Sequence, residues 1–231
     1  MDRNSNLYTF IFAVIMVVVV ASALAFTATT LKPLQAENVK REKMQSILST
    51  IGINVERNEA GDIFEDYVKE QIALNADGTV NEEVDAFAIN LMKETKKPHE
   101  EQAYPLYVSE KDGKTYYVVP LFGAGLWKEI WGYVALDSDK NTIIGASFDH
   151  AGETPGLGAE INQSWYEDQY IGKTILNDDG SFVSVTAVKG GADPNDMHEV
   201  DGISGGTITS DGVNNMLSER LKNYLPYFKN N

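Results

Sequence analysis

Tyr104-Pro-Leu-Tyr-Val108, Thr115-Tyr-Tyr-Val-Val-Pro120, Trp131-Gly-Tyr-Val-Ala-Leu136 and Thr142-Ile-Ile-Gly-Ala-Ser-Phe148 follow one another along one stretch of the chain. Aromatic and β-branched side chains suit a pleated, half-buried surface, so each run is expected to be a strand. The separators Lys111-Asp112-Gly113 and Asp137-Ser138-Asp139-Lys140-Asn141 have turn composition, and short turns join antiparallel neighbours. The expectation is therefore an antiparallel meander.

On the C-terminal side a further strand is expected at 181–189, and then a helix from about Asp211 to Tyr227. In that helix Val213, Leu217, Leu221 and Tyr224 recur on one face, as in a helix laid against a core. On the N-terminal side, Val39, Met44, Ile47, Leu48 and Ile51 recur at three- and four-residue steps before Gly52, which describes an amphipathic helix with a glycine stop. Short helices are expected around Ile63 to Leu74 and Glu82 to Lys93, and the exit at Lys96-Lys97-Pro98 reads as a loop. Helices around a central antiparallel sheet make an α+β domain.

From Leu7 to Leu31 the sequence contains no charged residue. A bilayer core needs roughly 20 helical residues, so this run is long enough to span it. It exceeds the roughly 7–15 apolar residues of a secretory signal, and an uncleaved single-pass anchor is the expected reading. The small-residue triplets Ala21-Ser22-Ala23 and Ala23-Leu24-Ala25 leave a cleaved signal peptide as the alternative. Pro33 is expected to end the span. The division that results is an anchor over 1–32, a helical juxtamembrane part over 33–103 and a main domain over 104–231. Arg3 precedes the span while Lys32, Lys40, Arg41 and Lys43 follow it; read by charge alone this keeps the domain in the cytoplasm, although long domains translocate largely regardless of charge.

Composition narrows the chemistry. The chain of 231 residues carries a formal charge of −15 spread along its length, which opposes binding to nucleic acid. It has no cysteine, so thiolate chemistry, disulfides and Cys-ligated clusters are excluded. His99, His150 and His198 lack the spacing of a metal site, and no metal is expected. Redox chemistry would need an organic cofactor or a partner.

Glycine-rich segments carry the candidate site. Asp201-Gly202-Ile203-Ser204-Gly205-Gly206-Thr207-Ile208-Thr209-Ser210 places small residues and hydroxyls just before a helix, where free N–H groups and the helix dipole favour a phosphate. The same residues also suit an ordinary helix entry with Thr209 or Ser210 as N-cap. His150-Ala151-Gly152-Glu153-Thr154-Pro155-Gly156-Leu157-Gly158 is either a Pro-Gly turn or a loop that lets backbone approach a flat ring with Leu157 over its face. Gly123-Ala124-Gly125-Leu126-Trp127-Lys128 begins like a dinucleotide fingerprint, but Lys128 replaces the third glycine and no βαβ unit surrounds it, so NADH is not expected to bind there. Trp127 after a glycine turn either packs into the core or stands beside a ligand.

Taken together, these motifs resemble the FMN-binding domain family found in the C subunit of the sodium-translocating NADH:quinone oxidoreductase and in the G subunit of the Rnf complex. Asp-x-x-Ser-Gly-x-Thr resembles the family's flavinylation motif, and Glu-Thr-Pro-Gly-Leu-Gly and Gly-x-Gly-Leu-Trp resemble its ring-pocket steps, which lie closer to the first of these two; the Rnf protein is the alternative. The resemblance implies FMN joined covalently through its phosphate to Thr207 by a separate, magnesium-dependent flavin transferase that uses FAD. Gly206 stands where the family usually has alanine. The resemblance further implies that Ser204, Gly205, Gly206 and Thr209 surround the phosphate, with Asp201 holding the loop or serving transferase recognition. Gly125, Leu126, Trp127, Glu153, Thr154, Leu157 and Gly158 would line the ring pocket, and Lys173 is a further candidate toward flavin or phosphate. The implied role is an electron relay, not catalytic with NADH by itself, within a multi-subunit membrane complex that carries electrons from NADH to quinone and moves sodium. The family places this domain on the outer, periplasmic side of the bacterial inner membrane, against the flanking charges. A non-redox reading, an anchored binding or assembly module with Thr207 unmodified, stays open on the residues alone.

Overall fold

The computed structural model describes residues 5–231. It divides into two compact units, the first ending at Lys43 and the second running Met44–Asn231. The first is the greater part of one helix, α1 (Asn6–Thr50), which is long and apolar enough to cross a membrane by length and composition. Its apolar residues from Leu7 to Leu34 are exposed. The helix continues through Pro33, so the apolar run and the amphipathic segment form one element where two were expected. Arg3 lies outside the described residues.

The last turns of α1 belong to the second unit. There Ile53 N–H reaches Leu48 C=O (3.0 Å) and Gly52 N–H reaches Ser49 C=O (2.9 Å), a Schellman closure with Gly52 at φ 73°. The anticipated glycine stop is thus present. Next come α2 (Ala60–Tyr67) and β1 (Val68–Leu74), then α3 (Leu91–Glu94), β2 (Tyr104–Lys111), β3 (Lys114–Ala124), β4 (Glu129–Leu136) and β5 (Ile143–His150). The strands form one antiparallel sheet in the order β1-β2-β3-β4-β5, so the meander is as expected, with an additional edge strand. α4 (Ser164–Glu167) precedes a two-stranded parallel pair, β6 (Thr186–Val188) and β7 (Glu199–Asp201), and the chain ends with α5 (Thr207–Leu221) and α6 (Leu225–Asn230).

The sheet is covered on both faces, and strand alternation assigns the residues. Leu106, Val119 and Val134 point to the core that contains Val213, Leu217, Leu221 and Tyr224 of the C-terminal helices. Their neighbours Tyr107, Val118 and Ala135 point the other way, to Ile47, Leu48, Ile51 and Phe64 of α1 and α2. The chain is therefore α+β: a long apolar N-terminal helix, then a domain of central antiparallel sheet with flanking helices.

Four local expectations are corrected. Residues 68–74 are a strand and not the end of a helix, since Leu74 to Val68 pair with Tyr104 to Ser109. Residues 82–93 are no continuous helix: Asn81, Asp85 and Asn90 each accept a nearby backbone N–H (Glu83, 3.1 Å; Phe87, 2.9 Å; Lys93, 3.2 Å), and such local bonds compete with the helical ladder. The strand expected over 181–189 shrinks to β6, because Val183 and Ser184 both donate to Ile175 C=O (2.9 and 3.0 Å) and Ser184 sits at φ 73°. Finally, α5 begins at Thr207, four residues before the expected start.

Candidate functional site

Three loops meet at one end of the sheet: the β3–β4 turn, the segment that follows β5, and the entry to α5. Helix α5 lies close against β3. A Cβ added to Gly123 would stand 2.8 Å from Met216 Cβ, and one added to Gly212 would collide with Ala124 C=O. This contact sets the start of the helix beside the β3–β4 turn.

The helix start then sorts its hydroxyls. Ser210 N–H donates to Gly206 C=O (2.9 Å), the first bond of the ladder, and Ser210 Oγ accepts from Ile203 N–H (3.1 Å). Gly206 is therefore the N-cap, and Thr209 and Ser210 lie inside the helix, which rules out the alternative in which one of them caps it. The N–H groups of Thr207, Ile208 and Thr209 precede the ladder. Thr209 shares the inward face of Val213 and Leu217 and is 1% exposed. Thr207, two residues earlier, is half-buried, and the two threonines together line an open cleft of about 210 Å³.

That cleft joins all three motifs, since Leu126, Glu153, Thr154, Leu157, Gly158, Gly205 and Gly206 line it with Thr207. Leu126, Leu157 and Ile208 are 47%, 41% and 57% exposed, so its walls offer apolar surface that the protein itself leaves uncovered. Trp127, at 68% exposed, stands beside the cleft and not in the core. A second depression of about 400 Å³ shares Gly205 and Thr207 and adds Lys189, Gly191, Asp201 and Ser204.

Glu153 ties the loops together. Its Oε1 accepts from Trp127 N–H (2.9 Å) and, more weakly, from Lys128 N–H (3.4 Å), and its Oε2 accepts from Thr209 Oγ1 (2.7 Å). Burial pushes this carboxyl upward, but the bonds from Trp127, Thr209, Lys128 and Leu126 outweigh it and hold the group below the usual carboxylate range. The carboxylate also explains two glycines: a Cβ at Gly125 would lie 2.6 Å from Oε1 and one at Gly158 2.6 Å from Oε2. Gly205, at φ 76°, takes a backbone conformation that side chains disfavour, and a Cβ there would stand 2.6 Å from Leu157 Cδ2.

Other anticipated residues fall elsewhere or play other parts. Thr209 gives its hydroxyl proton to Glu153, so that hydrogen does not point to the Thr207 oxygen. Asp201 accepts from Ala192 N–H (2.7 Å) and donates its own N–H to Gln169 Oε1 (2.8 Å), holding the loop that borders the second depression. Lys173 lines neither depression: it lies near Ile143, at the end of β5 away from His150, and its ammonium donates to Asp196 C=O (2.7 Å). Several lining residues were not singled out from the sequence, among them Ile208, Lys189, Gly190 and Gly191. Ile208 had a signal, an apolar residue off the Val213–Leu217–Leu221 stripe; Lys189 had none.

Residues 125–222 match the FMN-binding domain family. The chain is 31% identical to the C subunit of Na(+)-translocating NADH-quinone reductase of Pseudomonas aeruginosa, over 94% of this chain and 91% of that protein. It is also 31% identical to the Vibrio anguillarum protein of the same name, over 92% and 89%. Its fold is similar to the crystal structure of the same protein from Parabacteroides distasonis (43% identity, TM-score 0.79, covering 86% of this chain and 96% of that one). The Shewanella oneidensis NqrC structure is similar too (30% identity, TM-score 0.72, covering 83% and 97%). With near full-length identity joined to this cleft, the chain belongs to the NqrC family, the C subunits of the Na(+)-translocating NADH-quinone reductase.

Proposed function

We propose that this chain is a membrane-anchored electron-relay subunit that carries FMN on Thr207 through a phosphoester. Its place is within a multi-subunit membrane complex that passes electrons from NADH to quinone and couples this to sodium translocation. The observation that carries the reading is the difference between two hydroxyls at a cleft with apolar walls: Thr209 is 1% exposed and bonded to a carboxylate, while Thr207 is the more exposed of the two.

The residues fit the group. The free N–H groups at the start of α5 suit a phosphate, and Leu126, Leu157 and Ile208 offer apolar surface for a ring. Gly205 and Gly206 leave room for a transferase to approach. In the attachment step Thr207 Oγ forms a bond to the flavin-side phosphorus of FAD, the pyrophosphate P–O bond breaks, AMP leaves and the hydroxyl proton is released. FMN bound there supplies a carrier that takes up and returns electrons. The chain's own contribution is to bind, shield and orient it, and Thr207 needs no base from this chain once modified. The tether prevents loss of the cofactor and fixes its reach. The apolar helix holds the domain at the bacterial inner membrane, with the domain on the periplasmic side as in the family it resembles; the flavin transferase and the other subunits are its partners.

The test is expression of the full chain with its flavin transferase, followed by a denaturing gel viewed under ultraviolet light. Wild type and Thr209→Val should give a fluorescent band, and Thr207→Ala none. A dark wild-type band would sink the flavoprotein reading, and a band that survives Thr207→Ala would move the acceptor.

A further inference from the structure

The carboxylate of Glu153 is more buried than the cleft it borders, with the residue only 5% exposed, and its partners are neutral: two backbone N–H groups and one hydroxyl. No ion pair to it exists among the described residues. Its own N–H donates to His150 Nδ1 (3.2 Å). Lys128 contributes its backbone N–H, and its aliphatic chain runs past Gly152, where an added Cβ would stand 3.1 Å from Lys128 Cδ. The donors favour the ionised form over the neutral one, so the site holds a full negative charge with no cation beside it. Its field is also weakly screened, because protein rather than water surrounds it. That fixed charge is placed to act on whatever the cleft holds.

We propose that Glu153 is a positioning residue for the flavin, strapping the Leu126–Lys128 turn to the start of α5 so that the ring is held against Leu126 and Leu157, and standing beside it as a fixed negative charge that lowers its reduction potential. This rests on the reading of Thr207 as the flavin carrier. The strap follows from the hydrogen bonds: Oε1 holds the turn that presents Leu126, and Oε2 holds Thr209, one helical step from Ile208. The electrostatic role follows from sign, since electrons added to the cofactor are opposed by a neighbouring anion. Glu153→Gln keeps an acceptor for the Trp127 N–H and removes the charge. Glu153→Ala removes both. Thr209→Val keeps the charge and cuts one end of the strap.

The experiment uses the full chain in detergent after co-expression with the transferase. Covalent label is read on denaturing gels, midpoint potential by spectroelectrochemical titration, and ring exposure by iodide quenching of the native flavin fluorescence. All three variants should carry wild-type label, because attachment depends on Thr207. Glu153→Gln should show a more positive midpoint with quenching close to wild type. Thr209→Val should show the reverse, a several-fold rise in quenching with the potential near wild type, and Glu153→Ala should show both changes. A wild-type potential in Glu153→Gln overturns the electrostatic role, and unchanged quenching in both Thr209→Val and Glu153→Ala overturns the strap. Label lost from Glu153→Gln alone also overturns the proposal, assigning Glu153 to transferase recognition instead. An unlabelled wild type condemns the flavin reading itself and is distinct from all of these. Should Glu153→Ala fail to fold, the other two variants decide.

Discussion

Replacing Thr209 by valine isolates one hydrogen bond at the centre of the site. Valine keeps the shape and the β-branching, so the cost of holding the residue in α5 hardly changes. What disappears is the donor to Glu153 Oε2 at 2.7 Å. A hydrogen bond to a buried charged group is worth about 1.5–3 kcal/mol, and the extra buried methyl returns up to about 0.8 kcal/mol. The net loss is about 1–2 kcal/mol, or a fall in Tm of roughly 2–8 °C for a domain of this size. The pH dependence identifies the cause. Glu153 is depressed in the folded state, so the stability its donors supply is present above the unfolded carboxyl value of about 4.3 and is lost as pH falls through the folded value. The gap in Tm between wild type and Thr209→Val should therefore be full at pH 7 and close toward pH 3. Thermal unfolding of the unflavinylated full chain, followed by circular dichroism across this range, is the assay. A gap of the same size at both ends would mean that valine merely packs badly, and the clasp argument would fail.

Two further substitutions test the scaffold around the site. Burial pushes Glu167 up to about 7, with Asp168 and Asp149 adding to the effect against the Phe148 N–H bond. An acid raised on folding holds its proton more tightly in the folded state, so stability falls as pH rises from about 4.5 to 7. Glu167→Gln keeps an acceptor for Phe148 N–H (2.6 Å) and should stabilise the chain at pH 8 by about 1 kcal/mol, after allowance for partial exposure; urea midpoints at pH 5 and pH 8 check it, and a variant no better at pH 8 than at pH 5 counts against it. Gly145→Ala sets a methyl against the Thr50 carbonyl oxygen and 3.2 Å from Thr50 Cα, where backbone cannot yield as a side-chain tip can. It should cost about 1–3 kcal/mol at pH 5 and pH 8 alike, and an unshifted urea midpoint would show that α1 does not end so close to β5.

The legible parts of the fold were those in which local composition and tertiary environment agree. Tyr116, Val118 and Val134 belong in strands by any criterion, and Leu217 and Leu221 face a core by their spacing. Val68–Leu74 was misread because Lys69, Glu70, Gln71, Ala73 and Leu74 favour helix, while the edge of β2 draws them into a sheet. The burial of this strand does not alternate strictly, and its register slips between Val68 and Glu70, so the period-two signal was missing as well. The glycine motifs were visible as motifs. Gly125 is explained by what lies opposite, a carboxylate from another loop, and sequence spacing does not show that contact.

The resemblance implied Thr207, and the physical ground for preferring it to Thr209 lies in the helix. Each α-helical residue turns the chain by about 100°, so side chains two apart differ by about 200° and face opposite ways. How far each of the two threonines is exposed at the cleft depends on the phase of α5. That phase is set by the close contacts of Gly123 and Gly212 with Met216 and Ala124, and by the first ladder bond from Ser210 to Gly206. Had α5 begun at Asp211, as its composition suggested, both hydroxyls would lie in the preceding loop and neither would be selected. The early start converts a pair of chemically equal hydroxyls into one buried structural donor and one more exposed hydroxyl. The difference between the two threonines is thus a consequence of helix packing, with Glu153 accepting from the hydroxyl that packing turns inward.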